Sequence, residues 1–417
     1  MSPIPYMMSK LNKPIIFSDF FTEGQYETEV ETLAYSDKSK SLTIGVPKEI
    51  ILSENRVGIV PQSIRTLVGY GHKVIIESGA GLRSNFSDHH YSEAGAEITA
   101  SKEQVFKSQV LIKIAPPTSE EIDLMQADQI LISPLQLPVL KDDYLEKLKK
   151  KRITALAMEY LQSEDGSYPI VRIMSEIAGT CAILTAAEYL NNTKEGGRGI
   201  LLGSVSGVPP AKIVILGAGV VAETAIKVAI GLGASIRVFD NNITKLMRLQ
   251  TAVGRHLHTS SINPVYLAYQ LTSADIVIGA VHSKSGRTPI IVSEEMVSKM
   301  KDGAVIIDVS IDQGGCIETS QLTTLENPSF VKHGVIHYCV PNIPSKVSRT
   351  ASLAISNIIT PLLLKMGSGM HFDNILYENH GIRNGCYTYK GCITNEYLSR
   401  RFGLKYTSLE LLMTSKL

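Results

Sequence analysis

The sequence predicts an α/β protein of two domains, each built on a parallel sheet with helices on both faces. Three observations carry this expectation. A strand–helix alternation begins at Leu42, a second and stronger one begins at Lys212, and a glycine-rich turn joins strand to helix at the head of the second. The chain of 417 residues is also too long for one ordinary core, because domains run about 100–200 residues.

Residues 1–40 read as a polar arm, with a glutamate-rich stretch from Glu23 to Glu31 and no clear period. Leu42–Val46 is the first apolar strand. Pro61 can open a helix, where its missing N–H costs nothing, and Gly71 can close it. Val74–Glu77, Val110–Ile114, Ile130–Ser133 and Ile153–Met158 are the next strands, with polar helical stretches at 119–127 and 140–151. In the second unit Lys212–Leu216, Ser235–Phe239, Asp275–Ala280, Ala304–Val309 and Val335–Val340 read as strands. Helical stretches fall at 220–232, 243–254 and 293–301. A long helical run from Val347 to about Lys365 contains Pro361, so a kink or break is expected there. The C-terminal part is expected to fold back on the first domain, with a turn-rich hairpin or loop between Gly381 and Gly391.

Composition narrows the function. Hydrophobic residues are 44% of the chain and charged ones 19%, which excludes a disordered or fibrous protein. Lys and Arg number 41 against 40 Asp and Glu, so no charge excess points to nucleic acid or an acidic membrane. The five cysteines are scattered, none at C-x-x-C spacing, which suits a reducing compartment rather than a disulfide scaffold or thiolate metal site. No signal peptide and no uncharged run of ~18–20 residues is evident, so a soluble cytoplasmic protein is expected.

Gly217-Ala218-Gly219-Val220-Val221-Ala222 follows one apolar strand and opens a helix. This is a G-x-G-x-x-A fingerprint: Gly217 permits the tight turn, Gly219 lets the backbone approach a pyrophosphate, and Ala222 allows close helix–strand packing. The helix N-terminus offers free N–H groups to phosphates. Asp240 ends the next strand, 21 residues after Gly219, where a carboxylate would bind the adenosine ribose. It would repel a 2′-phosphate, so NAD is expected over NADP. The unit is therefore Rossmann-like.

Other segments carry a wider resemblance. Gly45-Val46-Pro47-Lys48-Glu49, Glu54-Asn55-Arg56-Val57, Glu77-Ser78-Gly79-Ala80-Gly81 and Phe86-Ser87-Asp88 come first. Met174-Ser175-Glu176-Ile177-Ala178-Gly179 and the run from Asp308 to Cys316 follow. In this order around a Rossmann unit, over about residues 42–365, they resemble the alanine dehydrogenase/pyridine-nucleotide-transhydrogenase alpha-subunit family. Asp312-Gln313-Gly314-Gly315-Cys316 and the run 337–344 look closer to the alanine dehydrogenases. The resemblance implies two Rossmann-like domains with cofactor and substrate in the cleft between them. It implies a discontinuous substrate domain, 41–172 with 346–417, and an NAD-binding domain, 173–345. It also implies reversible oxidative deamination of L-alanine by NAD to pyruvate and ammonia, and a homohexamer.

By the same resemblance, Arg56 is the arginine that holds the substrate carboxylate, a role its guanidinium fork suits. The alternative is a solvated loop arginine. Lys113, closing the apolar run Val110-Leu111-Ile112, matches a lysine that partners the substrate carbonyl or carboxylate; otherwise it snorkels to solvent. Asp312 matches an aspartate near the nicotinamide and the substrate nitrogen, whereas Asp308 reads as local support. Gln136 stands where the family has its catalytic histidine. Glutamine orients a carbonyl or water but exchanges no proton near neutral pH, and general acid–base help is typically worth ~10²–10⁴-fold. For the cofactor, Ser175 matches a dinucleotide contact, and Val220 and Val221 supply backbone at the phosphate turn. Lys245 reads equally as a ribose or phosphate contact and as a solvated lysine. Val281 and His282 end a strand where ligands bind in such sheets. Val309, Ser310, Ile311 and Asp312, with Val340 and Asn342, would wall the nicotinamide end. His72, His89 and His90 read as surface residues, and His337 as structural. No metal site is expected.

Three other readings stay open, the first and third of them because of Gln136. One is a related NAD-dependent dehydrogenase of another amino or oxo acid. The second is a transhydrogenase alpha-like NAD(H)-binding subunit. The third is a dinucleotide sensor without catalysis.

Overall fold

The computed structural model describes residues 41–51, 53–136, 140, 141, 143–283 and 286–414; the arm expected over 1–40 lies outside them. The apolar runs pair into two sheets, both mostly parallel. The first takes β1 (Thr43–Val46), β2 (Lys73–Glu77), β3 (Glu97–Thr99), β4 (Val110–Ile112), β5 (Ile130–Ser133) and β6 (Thr154–Ala157). The second takes β7 (Lys212–Leu216), β8 (Ser235–Phe239), β9 (His258–Ser260), β10 (Ile276–Gly279), β11 (Val305–Asp308), β12 (Ser329–Lys332) and β13 (Val335–Tyr338). The chain then returns to the first sheet with β14 (Cys386–Tyr389) and β15 (Cys392–Ile393). The spatial orders are β15-β14-β6-β5-β4-β1-β2-β3 and β12-β13-β11-β10-β7-β8-β9. Strands β10, β11 and β4 are buried throughout, as expected for parallel strands covered on both faces.

The expected return of the C-terminus is real: β14 runs antiparallel to β6, and Thr388 lies opposite Ala155. Of the turn-rich hairpin or loop expected over Gly381–Gly391, the first part is instead the helix His380–Gly385, and a hairpin joins β14 to β15. The break expected at Pro361 does not occur, because one helix runs from Ser348 to Met366 with the proline inside it. Serines at helical spacing on this helix serve the irregular segment before Pro61. Ser352 Oγ and Ser356 Oγ accept the backbone N–H groups of Val57 (2.9 Å) and Val60 (3.1 Å). Without them those buried donors would be orphaned.

Two helices, Pro169–Leu190 and the run Ile343–Met366, have the length and mean apolarity of a membrane span. The first carries Arg172, Glu176 and Glu188, the second Lys346, Arg349 and Lys365. Pro169–Leu190 packs on the helix Val220–Leu232 so closely that a Cβ on Gly179 would overlap the carbonyl oxygen of Val221. His72, expected at the surface, is instead 4% exposed, its ring lying where a Cβ on Gly367 would be. His337 is fully buried: its Nε2 pairs with Thr319 Oγ1, its ring stacks on Phe330, and burial lowers its pKa to about 4. All five cysteines are free thiols.

Candidate active site

The glycine turn has the geometry its sequence demands. Gly217 has φ +107°, and a Cβ there would overlap the carbonyl oxygen of Ala280. Gly219 precedes the helix Val220–Leu232, and no side chain caps that helix. A Cβ on Gly219 would meet nothing within 4 Å, so the turn faces open space. The N–H groups that begin the helix are thus presented to that space, and a pyrophosphate fits there chemically. Asp240 stands beside the turn. Its Oδ2 accepts the N–H of Ala218 at 2.8 Å and its Oδ1 that of Asn242 at 2.7 Å, which fixes the carboxylate plane while each oxygen keeps lone-pair capacity.

Lys245, exposed on the next helix, lies near enough to His282 for its charge to act on the imidazole. Burial first, then Lys245, lowers the pKa of His282. His282 follows β10, which runs parallel to β7, so it stands at the same edge of the sheet as the glycine turn. Val281 donates its N–H to Ser310 Oγ at 2.9 Å, which joins the end of β10 to the 3₁₀ turn Val309–Gln313. Gln313 Oε1 accepts the N–H of Ser283. Ser310, Ile311 and Val340 are buried, and Val309 and Ser175 are half-buried.

Asp308 anchors this turn. Its carboxylate accepts the N–H groups of Ser310 and Cys316 at 3.1 Å and the Ser320 hydroxyl at 2.7 Å. It has no exposed surface, so its part is local support, as expected. Asp312, one turn on, keeps an open face but is ringed by enough protein that burial pushes its carboxyl above the usual aspartate range. The N–H of Asn342 and the charge of Arg56 pull the other way without reversing the shift.

Arg56 and Asp312 come together through Asn342, expected at the nicotinamide end, and through Glu54, to which the sequence assigns no role. Glu54 grips Arg56 side-on: Nε donates to Oε1 at 2.7 Å and Nη2 to Oε2 at 2.6 Å, with both residues buried. Asn342 Nδ2 donates to Glu54 Oε2 at 2.9 Å, and the Asn342 N–H donates to Asp312 Oδ1 at 3.1 Å. Asn342 sits at φ +54°, a left-handed conformation that asparagine tolerates better than most residues. The chain Arg56–Glu54–Asn342–Asp312 thus links the loop after β1 to the segment after β13. Glu54 lay inside a quoted motif, but a contact between residues two apart depends on loop backbone that periodicity does not reveal.

Lys113 does not snorkel to solvent. It is 1% exposed, and its Nζ donates to Glu49 Oε2 at 2.9 Å and Glu121 Oε1 at 3.4 Å. Burial alone would lower its pKa, but the two carboxylates outweigh it and raise the pKa.

Gln136, in the segment after β5, sits at φ +43°. Its peptide is held from behind: Glu159 Oε1 accepts the Leu135 N–H at 2.7 Å, and the Gln136 N–H also bonds that carboxyl. Burial raises the pKa of Glu159. Tyr144 and Tyr387, whose hydroxyls pair at 2.9 Å, feel its charge.

Family models described as alanine dehydrogenase/PNT, N-terminal domain and C-terminal domain match residues 45–178 and 182–396. The chain is 41% identical over 371 residues to an alanine dehydrogenase of Methanococcus maripaludis, covering 88% of this chain and 99% of that one. It is 38% identical over 370 residues to alanine dehydrogenase 2 of Staphylococcus aureus, covering 88% and 99%. A solved L-alanine dehydrogenase superposes with TM-score 0.81 at 37% identity, over 87% of this chain and 99% of that chain. A transhydrogenase from Sinorhizobium meliloti, at 23% identity and TM-score 0.72, shares the fold over 85% of this chain and 99% of that chain.

Proposed function

The chain belongs to the alanine dehydrogenase/PNT family, and from that premise we propose that it interconverts L-alanine with pyruvate and ammonia, using NAD. The observation that carries the reading is the chain of contacts from Arg56 to Asp312. It sets a guanidinium suited to a carboxylate beside a carboxyl suited to a developing ammonium, on the side of the second sheet where the glycine turn opens.

Gly217 and Gly219, with the N–H groups of Val220 and Val221, would hold the diphosphate, and Asp240 the ribose. Lys245, Val281 and His282 border that path. Ser175, with Val309, Ser310 and Ile311 and with Val340 and Asn342, would border the nicotinamide. The bound nicotinamide supplies the hydride acceptor or donor. Asp240 favours NAD, because its anion would oppose a 2′-phosphate.

Arg56 would orient the substrate carboxylate. Asp312 would hold the nitrogen end, and its raised pKa lets it keep a proton closer to neutral pH than an ordinary aspartate. Gln136 would orient a carbonyl or water by hydrogen bonding. Lys113 supports the loop beneath through Glu49, which also accepts the Ile114 N–H at 2.6 Å. Proton movement then rests on Asp312 and water.

The reading carries further parts. The domains divide at 41–172 with 346–417 and at 173–345; membership of β14 and β15 in the first sheet supports this. The enzyme works in the cytoplasm as a homohexamer, as soluble family members do. Leu201, Val205 and Val208, 67%, 52% and 61% exposed, are apolar surface suited to a subunit contact.

The test is NADH absorbance with pyruvate and ammonium, beside glyoxylate, 2-oxobutyrate and 2-oxoglutarate. Oxidation fastest with pyruvate and dependent on ammonium is expected. NADH binding without oxidation by any acid would overturn the reading in favour of a sensor.

A further inference from the structure

An arginine has two edges that can each take a carboxylate: the side, from Nε and Nη2, and the end, from Nη1 and Nη2. In this site the side edge of Arg56 is taken by Glu54 with two short contacts, 2.7 and 2.6 Å. Glu54 Oε1 also accepts the Arg56 N–H at 3.0 Å, so the carboxylate is fixed to the same loop it orients. Its second oxygen is held by Asn342 Nδ2. Glu54 is 2% exposed and Arg56 7% exposed, so neither is free to sample other positions in water.

The end edge is different. Nη1 faces the thioether of Met174, 3.4 Å away, on the helix Pro169–Leu190. Sulfur is a weak acceptor on an unbranched, adaptable side chain. A carboxylate oxygen is a far better partner for a buried guanidinium.

From this arrangement we propose that Glu54 is a positioning residue that aims the end edge of Arg56 at the substrate carboxylate, and that Met174 holds that edge until the substrate displaces it. The inference rests on the reading of the chain as an oxo-acid reductase and deepens it. Arg56 alone would pivot between its two edges. Glu54 removes one choice and, through Asn342, ties the remaining one to Asp312. The spacing between the carboxylate grip and the nitrogen end is then set by hydrogen bonds rather than by the arginine's own rotamers. Met174 keeps the edge covered by a group that costs little to move. One substrate carboxylate is then gripped, on the end edge, because Glu54 occupies the other.

The experiment uses the full chain and follows KM and kcat for pyruvate at saturating NADH and ammonium. Glu54→Gln should raise KM for pyruvate tenfold or more while NADH binding, read by fluorescence, stays within twofold. Glu54→Asp should recover part of the loss. Met174→Gln places an amide near the end edge at almost unchanged length. Its oxygen competes with the substrate, so KM for pyruvate should rise and kcat change little. Met174→Leu, without an acceptor, should raise KM less than Met174→Gln does. Unchanged KM in both Glu54→Gln and Met174→Gln would overturn the proposal. Should Glu54→Gln fail to fold, the Met174 pair decides alone: a KM for pyruvate the same in Gln as in Leu is the contrary result. A wild-type protein that binds NADH but reduces no acid refutes the functional reading separately. Calorimetric binding of pyruvate to the NADH-loaded protein then decides: weaker binding in Met174→Gln than in Met174→Leu sustains the proposal, and equal binding sinks it.

Discussion

Replacing Lys113 by methionine separates a structural lysine from a substrate-binding one. Its ammonium serves two buried carboxylates, but they depend on it unequally. Glu121 keeps Lys102 at 2.9 Å and the Thr118 N–H at 2.9 Å. Glu49 keeps only the Ile114 N–H among the contacts described. The loss therefore falls on Glu49, a 6% exposed carboxylate stripped of its counter-ion. Breaking one partner of a buried pair costs about 3–5 kcal/mol, a large part of a total of about 5–15. With a urea dependence of a few kcal/mol per molar, the unfolding midpoint should fall by on the order of 1 M. Circular dichroism is the probe, since the chain has no tryptophan. The deficit should shrink with acidity. Burial already raises the pKa of Glu49 despite Lys113. Without the lysine it rises further, so the folded variant binds a proton the unfolded chain releases, and stability increases as pH falls towards the ordinary glutamate range. Adding Glu49→Gln should recover most of the loss, because no charge is then stranded. A Lys113→Met protein that unfolds like wild type while losing affinity for pyruvate would refute this account and return the lysine to the substrate.

Other expectations follow from the same geometry. Asp240→Arg should weaken NADH binding and improve NADPH binding; equal preference in titrations of both would remove Asp240 from the ribose. Gln136→His should raise turnover and introduce a limb near neutral pH in the rate profile, if the peptide held by Glu159 presents residue 136 to the substrate. A collapse with intact NADH binding would mean a differently arranged site. Gly217→Ala, forced to φ +107° against Ala280, should cost about 1–3 kcal/mol and abolish dinucleotide binding; a normally binding variant would disprove the role of the turn. The pH profile of alanine oxidation should lose activity on acidification at a pKa above the ordinary aspartate value, as raised for Asp312. Asp312→Asn should erase that limb.

Much of this was readable from local pattern, and the exceptions share a cause. The strands flanking Gly217 and the carboxylate ending β8 stood out because turn, period and spacing are all short-range. The helix Pro169–Leu190 was missed because apolar residues surround it, leaving no one-sided stripe to count. The burial of Lys113 against Glu49 is not legible in the sequence, because Glu49 lies 64 residues away, on a loop that only the pairing of β1 with β4 brings near. The burial of His72 has no local signal, because it depends on the helix ending at Met366, nearly three hundred residues on. Pro361 was expected to break a helix, yet the helix runs on to Met366, with Leu362, Leu363 and Leu364 after the proline buried.

The antiparallel seam of β6 and β14 has a consequence for how the protein is made. Some 230 residues separate the two strands, and the whole second sheet is encoded between them. At about 5–20 residues per second, roughly 10–50 s of synthesis pass before β14 leaves the ribosome. During that interval β6 is an open edge, able to pair with any strand nearby. The second sheet, encoded without interruption, can close first. The nascent chain thus carries a finished module and an unfinished one together, and the last tenth of the polypeptide decides whether the first module closes on itself or on a neighbour.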